Sequence, residues 1–584
     1  MTTTAFVNGQ TPIVASWLND VNDNVYNATG LSGSSISRTV QQKNSDTISV
    51  KDFGAVGDGV VDDTLSIQTA INTGLNIYFP SGRYLITNTL LVSTRGQGFY
   101  GNGGSIGGKS DILTDDFGST LQFSLDDAAV ETPMILVTLS QCTFNCLKFC
   151  GDSGNTVDIG IKFQKVSNTD DMDGYVYDCD FYNIYKPIYF YGRALHADRN
   201  VFSSLNSGIA ITLDWPTSGT SGDDIQTDDL YKGRAHRITN NRYHSGGGVF
   251  VVVTGYIQRS AIYALNCIDI GNEFIRIEAG AGLDGAIING NVADLCGVTP
   301  INFKALSYCL NVVISNNRLG GSIVNTIDGD DTQPFAAVSF DGPAQVDGLL
   351  INGNLLTGTG AGAIAFLNDA ASPLITVSNI NITNNLIQSV GLDGAASRWV
   401  VYSSFDISGC IFSNNSISSL GATVVSLFRS ASKTITNSVI RGNIYNTTLP
   451  VVTTTSLAGT TDDGRTTSGT YTPIQVSTNV NVASVTFNSC QYARVGSVVI
   501  VSGRLDIDAT VIGDTTVKMS IPIPSNFANG WSATGTFTQY GAVTLPSIVG
   551  SITSDATNDC VVLRVNSATA ASQSYVLNFT YQVI

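Results

Sequence analysis

Asp269, Glu273, Arg276, Glu278 and Asp284 fall together in IDIGNEFIRIEAGAGLD, residues 268–284. Carboxylates this close can divide acid and base work, one giving a proton while the other takes one or attacks. An arginine among them can clamp an anion or steer a carboxylate. If Ile275 and Ile277 turn inward on a β-strand, Arg276 and Glu278 share the outer face; Phe274 then competes for the inside unless the strand breaks after a corner. Burying an unpaired charge is expensive, so the outward placement is the expectation. Asp269, ahead of the corner, can face Glu278 or a neighbouring segment. The surrounding region, 196–296, also holds all three histidines (His196, His236, His244), and its long loop LDWPTSGTSGDDIQTDDLYKGRAHR (213–237) interrupts the local rhythm. That loop offers Trp215 and Tyr231 as rings, Asp223, Asp224, Asp228 and Asp229 as acids, and leads into His236 and Arg237. A surface Arg–Glu pair beside a solvated acidic loop is the alternative that requires no chemistry.

Positioning these residues falls to a chain whose composition favours β-structure. Of 46 acidic residues only Glu131, Glu273 and Glu278 are glutamates, and aspartate suits turns where glutamate suits helices. The 59 glycines and a charged fraction of 13% fit a turn-rich β fold. A net charge of −17 argues against nucleic acid as a partner, while a local basic groove can still sit on an acidic body. No apolar run reaches membrane-spanning length, so no membrane insertion is expected, and MTTTAFVNGQ lacks the basic and apolar regions of a signal peptide. The ten cysteines lack metal-type pairing with histidine. CTFNCLKFC (142–150) alternates with Phe and Leu and reads as buried thiols, so neither a metal nor a cofactor is expected.

Between residues 140 and 446 a short unit recurs: ITNNRY (238–243), IGNEF (270–274), INGNV (288–292), ISNNRL (314–319), INGNLL (351–356), ITNNLI (382–387), FSNNSI (412–417) and IRGNIY (440–445). Its core is an apolar residue, two small or polar residues and an Asn. The Asn-to-Asn spacing runs from 19 to 37, the signature of a solenoid with loops of unequal length. Short β-branched runs between Asn/Gly corners predict a parallel β-helix whose coils stack about 4.8 Å apart. Each Asn then serves as a turn residue that ladders its amide onto the next coil.

The ends read differently. In SWLNDVNDNVYNA, Leu18, Val21 and Val25 fall at helical spacing, so residues 1–38 are expected to form a short helical anchor and linker. After residue 446 a Thr/Gly-rich connector (447–470) leads to alternating strands over 471–584, read as a β-sandwich. VKDFGAVGDGVVDDTLSIQTAIN (50–72) looks at first like a calcium loop, yet it lacks the order of acids and the closing bidentate Glu. Asp62 or Asp63 can instead cap a helix whose Ile67, Ala70 and Ile71 make one apolar face. GQGFYG (96–101) matches a dinucleotide fingerprint without the strand–turn–helix frame, and reads as a turn.

The segment 50–72, followed by IYFPSGRYLI (77–86), resembles the opening motif of the pectate-lyase-like β-helix superfamily, in which it caps the solenoid. With the anchor, this cap and first coils (39–139), the long β-helix (140–446) and a terminal β-domain, the layout resembles bacteriophage tailspike depolymerases. CQYARVGSVVIVSGRLDIDAT (490–510) also resembles modules at the ends of phage tail fibres. That resemblance implies an all-β chain with a right-handed parallel β-helix, forming a homotrimer on the virion and made in the host cytoplasm. It implies docking to the phage tail or another tailspike through residues 1–30, and binding and cleavage of a bacterial capsular polysaccharide or O-antigen.

Hydrolysis of a glycoside takes two carboxylates, about 5–5.5 Å apart for retention and about 6.5–9.5 Å for inversion. Outward acids one coil apart would lie roughly 5 Å from each other, and two coils apart nearly 10 Å. Glu278, Glu273 and Asp269 are the expected catalytic acids, with Arg276, Arg237, His236, Trp215, Tyr256, Asp224 and Asp228 as substrate-binding residues. A lyase on the same scaffold would use an arginine against a uronate with His or Tyr as acid and base, and a non-enzymatic spike would only bind.

Overall fold

The computed structural model describes residues 25–26, 38–39, 46–103, 118–124, 132–151, 157–164, 172–203, 208–215, 233–244, 248–258, 262–268, 272–321, 336–359, 362–367, 377–390, 398–420, 424–430, 434–445, 452–453, 461–462, 467–495, 498–523, 525, 527–541 and 549–583. It divides into two compact units. One comprises residues 1–408, 416–434 and 445–456, the other 409–415, 435–444 and 457–584. Among the described residues no helix is long and apolar enough to cross a membrane.

The first unit is a right-handed parallel β-helix. A representative early coil runs through Ile184–Tyr191, Ala194–Asp198 and Val201–Ser203, one strand in each of three parallel sheets, here called A, B and C, before Ile209–Asp214 returns to sheet A. From Gly233–Arg234 onward a narrow fourth sheet is inserted between A and B. The coil Val249–Val253, Tyr256–Gln258, Ile262–Ala264, Cys267–Ile268 shows all four sides. Like residues stack on like through the interior. Phe303, Phe340 and Phe366 pile up with ring centroids 4.7 and 4.9 Å apart, and Phe149, Phe181 and Phe202 with 4.9 and 5.1 Å. Those spacings match the rise from coil to coil, so each ring meets its neighbour face to face.

The Asn ladder runs along the corner between sheets B and C. Asn200, Asn241, Asn266, Asn291, Asn317 and Asn354 each donate through Nδ2 to Oδ1 of the next, up to Asn385. In the second unit Asn415 and Asn443 pair the same way. The residue before each ladder Asn is left-handed: φ is 55° at Asn240, 57° at Leu265, 68° at Gly290 and 54° at Asn316. One expected rung is corrected. Asn272 of IGNEF leads into a sheet A strand, and Asn266 occupies the ladder in its place. The apparent 19-residue spacing came from that substitution; the true steps around it are 25 and 25 residues.

The acidic stretch at 52–63 is architecture. Asp63 is buried and accepts from the backbone N–H groups of Val56 (2.6 Å) and Gly57 (3.1 Å). Asp62 accepts from the backbone and hydroxyl of Thr64 at the start of helix Thr64–Ile71. Ile67, Ala70 and Ile71 are that helix's buried face, as its sequence predicts. At the N-terminus Val25–Tyr26 pairs antiparallel with Arg38–Thr39, so Val25 lies on a strand instead of the expected helix; Leu18 and Val21 lie outside the described residues.

In the second unit the expected two-layer sandwich is a single curled antiparallel sheet, a half-barrel. Its strands follow the order 467–471, 490–495, 498–509, 572–582, 533–539, 549–555, 560–567 and 513–519. Val498–Ala509 is long enough to pair with Cys490–Val495 along its first half and Val482–Phe487 along its second. One face, with Val499, Val501, Leu505, Leu577 and Phe579 among its residues, forms the core.

Candidate functional site

Sheet A strands share a four-residue pattern that becomes visible once they are set in register: IYFY (188–191), ITLD (211–214), VVVT (251–254), IRIE (275–278), INFK (301–304), VSFD (338–341) and IAFL (364–367). The first and third positions point inward and are buried. The second and fourth therefore form two outward columns. One runs Tyr189, Thr212, Val252, Arg276, Asn302, Ser339, Ala365, and the other Tyr191, Asp214, Thr254, Glu278, Lys304, Asp341, Leu367. Rungs are about 4.8 Å apart.

Arg276 and Glu278 thus share the outer face, as expected. Phe274 is also inside, stacked on Phe250. Both are possible because the backbone N–H groups of Phe274 and Ile275 converge on one carbonyl, that of Pro300, which breaks the alternation at the corner. Arg276 bridges two acids: its Nη1 donates to Glu273 Oε2 at 3.0 Å, and its Nε lies 2.7 Å from Glu278 Oε1. The planar guanidinium holds those two oxygens no more than roughly 8 Å apart. Glu273 is only 3% exposed, and its other oxygen accepts from Asn302 Nδ2 at 2.9 Å. Burial pushes its carboxyl above the usual range, opposed by Arg276, Asn302 and Lys304. Glu278 is the solvent-facing member, with 37% of its side chain exposed. Farther along the same column Lys304 Nζ stands 3.6 Å from Asp341 Oδ2, and Ser339 donates to the other oxygen of Asp341. Among the described residues, Asn302 Oδ1 and Thr212 Oγ1 are buried without a hydrogen-bond partner.

The remaining expected site residues separate. Trp215 ends the strand before Val249–Val253, stacks on Tyr191 (6.0 Å, 21°) and packs so closely on Gly255 that a side chain there would meet its backbone. Arg237 is exposed but belongs to sheet B, on a different side of the solenoid. His236 is an interior residue, 2% exposed. Its Nδ1 accepts from Leu195 N–H at 3.1 Å, and burial draws its pKa down to about 3. Tyr256 is 8% exposed and wedged with Tyr308 around Gly282 in the narrow sheet, and burial raises its phenol above the usual tyrosine range. Neither His236 nor Tyr256 has a free face to offer a sugar. Asp284 accepts from Asn311 Nδ2 at 3.1 Å in the narrow sheet. Asp269, Asp224 and Asp228 lie outside the described residues. Asn302, Lys304, Asp341 and Asp214 escaped sequence reasoning, which aligned the coils on the Asn corner; alignment on the apolar–x–apolar strand would have found them.

Comparison with known proteins agrees with the architecture. The family described as rhamnogalacturonase A/epimerase, pectate lyase-like, matches residues 47–129. The tailspike protein of E. coli bacteriophage HK620, solved in complex with a pentasaccharide, is 12% identical, with 96% of this chain and 97% of that one aligned at a TM-score of 0.51. The Dettilon tailspike protein is 15% identical over 93% of this chain and 96% of its own, at a TM-score of 0.41. Plasmin and fibronectin-binding protein A of Streptococcus pneumoniae is 42% identical over 64 residues; the chain spans only 9% of that relative's length. The fold is a pectate-lyase-like right-handed β-helix of the kind that tailspikes use.

Proposed function

We propose that this chain is a virion tailspike that binds a bacterial surface polysaccharide, capsule or O-antigen, and depolymerises it by endo-glycosidic hydrolysis on the outer face of sheet A. The observation that carries this reading is the alignment of Glu278 and Asp341 in one outward column, two rungs apart with Lys304 between them. Two rungs set their backbones about 9.6 Å apart, and the side chains can close that to the inverting window of about 6.5–9.5 Å, which leaves room for the attacking water. Glu278 and Asp341 are the acid–base pair, one protonating the glycosidic oxygen while the other takes a proton from water. Glu273 is a positioning residue: both its oxygens are committed to Arg276 and Asn302, so it holds the guanidinium in place.

Hydrolysis is favoured over β-elimination because the central cations already face carboxylates: Arg276 has Glu273 and Glu278, and Lys304 has Asp341. A lyase needs a cation left over for the uronate at the cleavage point. The tailspike assignment includes trimerisation and docking to a tail through residues 1–30. Mass spectrometry of fragments released from purified capsules and O-antigens is the test. Whole repeat units carrying one added water are expected, and Glu278→Gln or Asp341→Asn should lower the rate by 10²–10⁴-fold with binding retained. Products that lack the water, with ultraviolet absorbance of an unsaturated uronate, would overturn hydrolysis. Unchanged polymer length in a polymer that binds would overturn catalysis altogether.

A further inference from the structure

The outer face of sheet A extends well beyond the carboxylates, and its two ends differ. Arg276 lies four rungs from Lys162 in one direction, through Val252, Thr212 and Tyr189, and four from Tyr402 in the other, through Asn302, Ser339 and Ala365. Each arm is about 19 Å long. The far end is apolar: Trp399 and Tyr402 stack at 4.4 Å and 21°, packed with Ala336 and Ala365. The near end is cationic. Lys162 Nζ stands 5.0 Å from the centroid of the Tyr189 ring, and Lys186 Nζ 6.0 Å from the same ring. Tyr189 is fixed from the other side by its hydroxyl, which donates to Asp214, itself bonded by Thr254 at 2.7 Å. Among the described residues no carboxylate forms an ion pair with Lys162.

We infer that the polymer lies along the solenoid axis and that Lys162, seated over Tyr189, receives a sugar bearing an anionic group, a carboxylate or a phosphate. The substrate is accordingly an acidic polysaccharide. This rests on the proposed function and adds to it the class of polymer and the end at which its charge is read. A body of net charge −17 repels an acidic chain at long range, so an acidic substrate has to be admitted by local cations. Lys162 over the Tyr189 ring supplies one, and the ring leaves an apolar surface for the sugar beside the charge. The charge is read four rungs from Glu278, so it does not require the anionic sugar to be the one cleaved.

The test uses the full chain carrying Glu278→Gln, so that bound polymer is not consumed. Its probe is an array of purified capsular and O-antigen polysaccharides of known repeat, uronate-bearing, phosphate-bearing and neutral, with each uronate polymer also presented after carboxyl reduction. Binding confined to anionic polymers is expected. If the anion is a uronate, carboxyl reduction should weaken binding by tenfold or more. Adding Lys162→Ala should weaken the native acidic polymer roughly tenfold and leave its carboxyl-reduced form unaffected, and Lys162→Arg should restore binding. The phosphate arm, immune to carboxyl reduction, tells the two anions apart. A neutral polymer bound as tightly as any acidic one overturns the charge assignment while leaving the tailspike reading intact, as does undiminished acidic binding by Lys162→Ala. Binding to no polymer at all overturns both.

Discussion

Asn291→Ala should open the solenoid locally, and by an amount that can be estimated. Asn291 is 1% exposed. Its Nδ2 donates to Tyr263 O and Asn317 Oδ1, both at 2.8 Å, and its Oδ1 accepts from Asn266 N and Nδ2, both at 3.0 Å. Truncation removes all four bonds. Two of the groups keep another partner: Asn266 Nδ2 still donates to Ile238 O, and Asn317 Oδ1 still accepts from the backbone N–H of residue 291. The backbone N–H of Asn266 and the carbonyl of Tyr263 lose this partner inside the corner. Leaving a buried group unpaired costs about 1–3 kcal/mol, so the two together cost about 2–6 kcal/mol. Amide hydrogen exchange is the assay, because the opening is local and a long solenoid need not unfold in one step. At about 1.4 kcal/mol per tenfold, amides of 262–268 and 287–296 should exchange at least about thirtyfold faster. Ser315→Ala, which removes one partly exposed bond to Asn289 Oδ1, is the control and should stay within about tenfold. If Asn291→Ala protects these amides as well as the control does, the ladder is decoration and the accounting is wrong.

His236 makes stability depend on acid. Unfolded histidine titrates near 6.5, whereas burial holds the folded side chain down to about 3. Between those values the unfolded chain binds a proton that the folded chain refuses, so the contribution is intact above about pH 6.5 and is lost as pH falls towards 3. His236→Asn, which keeps an acceptor for Leu195 N–H, should lower the thermal midpoint at pH 7 and narrow its gap to the parent at pH 4; a gap independent of pH would refute this. Leu265 is 61% exposed and left-handed at φ 57°, where an L side chain costs roughly 1–2 kcal/mol. Leu265→Asn, the residue type found at Asn240 and Asn316, should slow exchange around Asn266 several-fold, and faster exchange would count against it.

Leu265 also explains what was legible from sequence. A corner that reads apolar–x–Asn–Asn or apolar–x–Gly–Asn announces itself, because Asn and Gly are the residues that accept a left-handed backbone. Where Arg199 or Leu265 takes that conformation instead, the following Asn has no signature: nothing in the sequence marks Asn200, and Asn272 mimics the repeat where Asn266 holds the ladder. The outward placement of Arg276 and Glu278 followed from the cost of burying charge, and it held. Lys304 and Asp341 were invisible for a different reason. Their neighbours in the site are distant in sequence, separated by whole coils of unequal length, and only strand register brings them beside Glu278. Tyr256 reads as available because residue type says nothing about which side of a coil a side chain faces, whereas the repeat alignment already allows His236 to be an interior histidine with Arg237 outside, as the structure has them.

The division of labour among the acids follows from the geometry of the coil. A solenoid places outward side chains at rung intervals, so the backbones carrying two carboxylates in one column stand near 5 Å or near 10 Å apart, and side-chain reach sets the carboxyl separation from there. The proposed acid–base pair, Glu278 and Asp341, takes the longer interval, and Lys304 on the rung between them keeps like charges from facing each other directly. Glu273 is the exception: it sits at the start of its strand, where the doubled contact at Pro300 breaks the alternation, and so reaches beneath the outer column. A buried carboxylate there would be costly without partners, but Arg276 and Asn302 both donate to it. Arg276 is thereby held from below and faces Glu278 from the side, with 27% of its own side chain exposed. Removing Glu273 should accordingly weaken the fixing of Arg276 before it touches any bond-making step. Glu273→Gln is expected to raise KM by more than it lowers kcat, and a loss confined to kcat would make Glu273 a catalytic acid in its own right.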